Sequence, residues 1–169
     1  MTPTTTYYDL FDTPAGQMIV VQDAKGVRHI DFQEGAVPLA IDSQWQRNPD
    51  FCHTAREQLQ DYFSGKLTRF DLPLAPQGTE FQQRVWVELA KVPFGETHSY
   101  GELALALGQP GASRAVGMAN GRNPLSIVLP CHRIVGSNQK LTGYRGGLAI
   151  KRQLLKLEGI AINGDRIDA

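Results

Sequence analysis

Cysteine and histidine stand side by side in the segment Leu129-Pro130-Cys131-His132-Arg133-Ile134. A thiolate is the reactive form of cysteine, and an unperturbed thiol with a pKa of about 8.5 is only a few per cent ionised at neutral pH. His132 and Arg133, both adjacent, would lower the cost of that charge. The chemistry on offer is nucleophilic attack by a sulfur ionised at rest. Cys131-His132 alone fits a second reading better, a buried structural cysteine at the end of an apolar strand, because free cysteine is among the most buried residue types. Adjacency also raises a geometric difficulty. Neighbouring side chains on an extended strand point to opposite faces, so His132 needs a turn, or a bridging water, to act on Cys131.

The surrounding elements must position this pair. Thr79 with Gln82 reads as a capping box, and Phe81, Val85, Trp86 and Leu89 then mark a helix that Pro93-Phe94-Gly95 ends. Ser99 with Glu102 is a second capping box, followed by Leu103, Ala104 and Leu107 and closed by Gly108 and Pro110. Ala112, Ala115, Val116 and Ala119 predict a third helix over 112–120, carrying Arg114 and leading to Arg122. Ile127-Val128-Leu129 reads as a short strand. Ile134-Val135 and Leu141-Thr142 flank a turn at 136–140 and read as a hairpin. Leu148 to Leu157 is a final amphipathic helix before Gly159. Helix, turn, helix and hairpin make a winged helix-turn-helix pattern. The small side of its second helix (Ala115, Gly117, Ala119, Gly121) suits either tight helix packing or close approach to DNA.

The first half reads differently. Tyr7–Phe11, Met18–Val21 and Val27–Phe32 are short β-prone runs separated by turn-formers, which predicts an antiparallel meander. Residues 33–50 show no period and read as a loop. A helix over 54–63 ends at Gly65, and Phe70–Leu74 is a candidate further strand. Ala75-Pro76-Gln77-Gly78 is the best boundary, dividing the chain into 1–78 and 79–169. The chain of 169 residues is neutral overall, with 17 basic and 17 acidic residues. Residues 1–78 hold 6 Lys/Arg against 10 Asp/Glu and residues 79–169 hold 11 against 7, so a polyanion would prefer the second half. The field is weak and is screened beyond roughly 8 Å at physiological salt.

With Asn123-Pro124 upstream and Gly143-Tyr144-Arg145-Gly146-Gly147 downstream, the segment resembles the O6-alkylguanine-DNA alkyltransferases. The matching stretches are Phe94-Gly95-Glu96-Thr97-His98-Ser99-Tyr100, Arg114-Ala115-Val116-Gly117, Asn123-Pro124, Pro130-Cys131-His132-Arg133, Gly143-Tyr144-Arg145-Gly146-Gly147 and Leu154-Leu155-Lys156-Leu157-Glu158-Gly159. Their order and spacing fit throughout 79–159. The resemblance implies an α+β fold: a small N-terminal antiparallel sheet domain with a helix, ribonuclease-H-like, then a winged helix-turn-helix-like domain carrying the active site. It implies that Cys131 accepts the alkyl group of O6-alkylguanine, and of O4-alkylthymine, once and irreversibly. His132 would relay through a water, Glu158 would orient His132, and Tyr100 would assist the leaving guanine. Arg114, Ala115, Gly117, Ala119 and Arg122 would meet the minor groove of double-stranded DNA, with Arg114 in the space left by a flipped base. Asn123, Pro130, Arg133, Tyr144, Arg145 and Gly146 would shape the pocket, with Arg145 near phosphate or lesion and Gly146 leaving room for larger alkyl groups.

No cofactor is implied. Some members of that family hold an N-terminal zinc, but Cys52, His29 and His53 lack paired ligand spacing, so no metal is expected. The start of the chain lacks a signal-peptide pattern and no apolar run approaches the ~20 residues of a membrane span. The expectation is a cytoplasmic protein, monomeric in solution, with several copies able to occupy one DNA. Two alternatives belong to other classes: a non-catalytic winged-helix damage sensor, and a cysteine hydrolase, which a missing oxyanion-type loop disfavours.

Overall fold

The structure, a computed structural model, describes residues 4–35 and 37–168. The first three strands form the expected meander. β1 (Tyr7–Thr13), β2 (Gly16–Asp23) and β3 (Gly26–Phe32) pair antiparallel, and β2, buried through Met18–Val21, runs through the middle. The expected loop over 33–50 contributes one short strand, β4 (Gln46–Arg47), parallel to β1 at the sheet edge, so the order is β3-β2-β1-β4. Two residues carry no period that a pattern could register. The strand expected at Phe70–Leu74 reduces to a single bridge between Leu74 and Val27. Pro73 has no N–H to extend a ladder. The contact is held by Val27 N–H to Pro73 O (2.7 Å) and Ala75 N–H to Val27 O (2.9 Å).

Helix α1 (His53–Phe63) buries Ala55, Leu59 and Tyr62. In the second half both capping boxes are formed, at Thr79/Gln82 for α2 (Glu80–Leu89) and at Ser99/Glu102 for α3 (Tyr100–Ala106), which directly follows the short strand β5 (His98–Ser99). α4 (Ser113–Gly121) packs against α2 and α3, completing the helix-turn-helix. The indole of Trp86 donates to Ala119 O across that packing (3.0 Å).

The strand expected at 127–129 is a tight turn. Asn123 holds it closed from within: its Nδ2 donates to Leu129 O (2.7 Å) and its Oδ1 accepts from Leu125 N–H (2.8 Å). Ile127 takes a left-handed φ of 73° although β-branched and buried. The apolar run therefore reflects burial, not β-structure. Cys131–Arg133 forms one turn of 3-10 helix, after which β6 (Ile134–Val135) pairs in parallel with β5. The expected hairpin from 134 to 142 does not form. A turn closes between Gly136 N–H and Lys140 O, but Leu141 N–H goes to Asp165 O and Thr142 O accepts from Lys151. The hairpin of this region lies later, in β7 (Ile162–Asn163) and β8 (Arg166–Ile167), bridged back to Lys140. α5 (Leu148–Leu157) occupies the expected span.

One hydrophobic core runs from Met18, Val20 and Phe32 of the sheet through Tyr62 and Trp86 to Cys131 and Leu154, so the two halves share an interior. A smaller cluster of Val135, Leu141 and Leu155 lies under the terminal hairpin. Among the described residues no helix is long and apolar enough to cross a membrane. Because β5 ends at Ser99 and the Ser99 side chain caps α3, Ser99→Ala should lower stability by about 1 kcal/mol, read as a lower urea midpoint with an unchanged slope.

Candidate active site

Cys131 opens the 3-10 turn, and that turn removes the difficulty posed by adjacency, since the backbone here is not extended. Cys131 lines a cavity of about 280 Å³ together with Tyr100, Asn120, Asn123, Ser126 and Tyr144. His132 is fully buried behind it, with Nε2 2.6 Å from Glu158 Oε2. Glu158 closes the end of α5 and is itself 5% exposed. Its Oε1 accepts from Arg133 Nε (2.8 Å) and Gly95 N–H (3.2 Å). Its Oε2 accepts from Tyr62 Oη (2.6 Å) and Arg133 Nη2 (3.1 Å) as well as from His132. Burial opposes ionisation of this carboxyl, but the donors from His132, Arg133 and Tyr62 overcome it and hold the pKa down at about 2.

An ionised Glu158 accepts only, so His132 Nε2 carries the proton it donates and Nδ1 keeps its lone pair. Nδ1 is buried without a partner among the described residues. Burial pushes the imidazole pKa down by more than Glu158 raises it, so the ring rests neutral. Burial likewise pushes the Cys131 thiol up, against the Asn123 amide and the Lys151 ammonium, which pull it down. This corrects the expectation of a sulfur ionised at rest with help from Arg133. The Arg133 guanidinium is committed to Glu158 and to Val92 O (2.7 Å), with its Cζ 5.8 Å above the Phe94 ring. The site thus brings together an un-ionised thiol and a neutral imidazole with a free lone pair.

Four other expected site residues stand elsewhere than foreseen. Ala119 is buried against α2 and offers no surface to a ligand. The exposed face of α4 comprises Arg114, Ala115, Met118, Gly121 and Arg122, and Met118, 66% exposed, was not foreseen. Pro130 and Arg133 line a separate, larger cavity of about 820 Å³ that does not include Cys131. Gly146 does not leave open space: a Cβ there would lie 2.9 Å from Phe32 Cδ2 and 3.2 Å from the Tyr144 ring. Arg145 lines the Cys131 cavity but is paired with Asp31 at 3.3 Å. Gly117 abuts Tyr100, whose hydroxyl is 3.0 Å from Thr142 Oγ1. Asn123 is buried and organises the turn leading into the cysteine.

Two site residues escaped the sequence reading. Tyr62 fitted the apolar face of α1, and nothing local indicated a partner 96 positions away. Lys151 is fully buried and donates to Ile134 O (2.6 Å) and Thr142 O (2.7 Å), with its pKa lowered by burial to about 8. Its signal was present: Lys151 shares a helix face with Leu154, Leu155 and Glu158, where a lysine has no solvent.

Known proteins resemble this chain over both halves. Residues 6–76 match the family model described as the ribonuclease-like domain of 6-O-methylguanine DNA methyltransferase, and residues 80–160 match the DNA-binding domain of the same family. The chain belongs to the 6-O-methylguanine DNA methyltransferase family. A methylated-DNA–protein-cysteine methyltransferase of Methanosarcina barkeri is 51% identical over 152 residues, 90% of this chain and 96% of its own length. The Haemophilus influenzae protein of that name is 41% identical over 160 residues, 93% and 88% of the two chains. The crystal structure of Mycobacterium tuberculosis OGT in complex with DNA superposes with a TM-score of 0.83 at 45% identity, covering 90% of this chain and 92% of that one.

The depressed pKa of Glu158 predicts an acid-sensitive fold. A carboxyl whose folded pKa lies below its ordinary 4.5 stabilises the protein above that value, and the contribution fades as pH falls toward about 2. Glu158→Gln should cost on the order of 3 kcal/mol at neutral pH and flatten the loss of stability between pH 4.5 and 2. Urea unfolding at pH 7 and pH 3 reads both effects.

Proposed function

We propose that this protein repairs DNA by moving the alkyl group of O6-alkylguanine, and of O4-alkylthymine, irreversibly onto Sγ of Cys131. The observation that carries the reading is the cysteine's position in a cavity in front of a neutral histidine whose Nε2 is pinned by a buried, ionised carboxylate. That is the nucleophile–base–orienter arrangement of a triad. His132 Nδ1, through one water, takes the proton from the sulfur. The sulfur attacks the alkyl carbon in line with O6, the S–C bond forms, and the C–O6 bond breaks with its electron pair passing to the purine. The Tyr100 hydroxyl donates to the purine ring as charge develops there. The proton lost by the sulfur balances the one the purine gains. The product is a thioether, which offers water no leaving group, so each molecule acts once and needs no cofactor.

The target carbon is inaccessible inside a stacked duplex, and extruding the nucleotide costs a few kcal/mol. The exposed face of α4 suits that task. Arg114 and Arg122 flank Ala115 and Gly121, small residues that permit close approach to the minor groove, with Met118 projecting between them, and the cavity opens beside Gly117 and Gly121. Arg114 fills the vacated stack. Asn120 Oδ1 and the Tyr144 hydroxyl, buried polar atoms of cavity-lining residues with no hydrogen-bond partner among the described residues, suit the polar edge of a base. Lys151 fixes β6 against the loop at 142, and its charge favours the thiolate as it forms. The relatives' names and the M. tuberculosis complex with DNA support the same reading. We place a module boundary between residues 78 and 79, and the protein, as a monomer, in a reducing compartment such as the cytoplasm.

Incubation with a duplex carrying one O6-methylguanine, followed by intact-protein mass spectrometry, should show one methyl group gained at Cys131 and no second turnover. Cys131→Ser should bind the duplex and gain nothing; a methylated variant would move the acceptor elsewhere. Arg114→Ala should slow transfer from duplex by at least about tenfold while leaving reaction with the free alkylated base unchanged. Equal losses would contradict the extrusion role.

A further inference from the structure

Gly143, Tyr144 and Arg145 of the loop 143–147 form one wall of the Cys131 cavity, and the back of that loop rests on β3 in the first half of the chain at Gly146. Tyr144 meets Phe32 edge-on, with 6.2 Å between ring centroids. The backbone at Gly146 lies so close to the Phe32 ring that no side chain fits between them. Arg145 Nε stands 3.3 Å from Asp31 Oδ2; its N–H is not aligned on that oxygen, so the contact is an ion pair and not a directed hydrogen bond. Asp31 is 4% exposed, and its other oxygen accepts from Phe32 N–H (2.9 Å). Among the described residues its ion-pair partner is Arg145. A buried carboxylate without a cation is costly, so Asp31 draws Arg145, and with it the loop, onto the strand. Glycines at 143, 146 and 147 leave that loop free to swing if the attraction is removed.

We infer that the Asp31–Arg145 ion pair is a latch that sets the width of the alkyl pocket, making the N-terminal sheet a determinant of which alkyl groups the protein accepts. The inference rests on the alkyl-transfer reading above. Neither residue is in contact with the sulfur; both are positioning residues, acting through where the loop stands. With the latch closed the pocket favours a small group. With it open, the loop retreats from the cavity, and a bulky group gains more from the added room than a methyl group does.

Single-turnover transfer from duplexes carrying O6-methylguanine or O6-benzylguanine, followed by intact mass against time, tests this in the full chain. Arg145→Gln and Asp31→Asn should each raise the benzyl-to-methyl rate ratio roughly three- to tenfold. The double variant should go no further than either single, since both remove one interaction. Arg145→Lys, which keeps the charge opposite Asp31, should return the ratio close to that of the unmodified protein. An unchanged ratio in Arg145→Gln, or additive effects in the double variant, overturns the latch while leaving alkyl transfer standing. An unmodified protein that takes up neither group overturns the transfer reading and the latch with it.

Discussion

A single buried negative charge organises the reactive half of this molecule. Glu158 receives five hydrogen bonds, from Tyr62, Gly95, His132 and twice from Arg133. These donors come from α1, from the loop after α2 and from the 3-10 turn that carries the cysteine. A carboxylate removed from water must replace its hydration in full or give up its charge. Only a fold that delivers all of these segments to one point meets that demand. The charge, once met, dictates the rest: it selects the histidine tautomer, leaves Nδ1 with its lone pair, and uses up the arginine that would otherwise stand beside the sulfur.

The first half of the chain is therefore part of the site. Tyr62 supplies one donor to Glu158 from behind, and Asp31 holds Arg145 at the lip of the cavity. Between these two points the core is continuous, from the meander to α5. Two buried cations in the region are satisfied in different ways. Arg133 meets a carboxylate and a carbonyl, whereas Lys151 meets two carbonyls and, among the described residues, no carboxylate, and burial brings its pKa to about 8. Lys151 thus ties β6 to the loop at 142 and brings positive charge toward the sulfur without ion-pairing to it.

Local signals were readable wherever the physics was local. Both capping boxes, the end of α1 at Gly65, the span of α5 and the three-strand meander follow from side chains bonding backbone within a few residues, or from alternation along one strand. The misreadings have one cause. Ile127-Val128-Leu129 is apolar because it is buried, and the closure by Asn123 that makes it a turn is a side-chain effect spanning 123–129. Ile134-Val135 pairs with residues 98–99, not with the next β-prone pair, because Leu141 and Thr142 are bonded to residues 165 and 151. Ala119 has the size of a DNA-facing residue, and only the position of Trp86 turns it inward.

The amino-acid sequence alone determined the family pattern, the candidate nucleophile with its adjacent histidine and the helix-turn-helix that carries Arg114, because each is written in residue types at short, regular spacing. The tertiary structure decided the electrostatics. Whether the sulfur is charged, which histidine nitrogen is free, that Tyr62 donates to Glu158 and that Arg145 faces Asp31 all depend on burial and on partners 26 to 114 positions away. The free energy of a buried charge is set by the groups that surround it in space, and spacing along a chain carries no record of them.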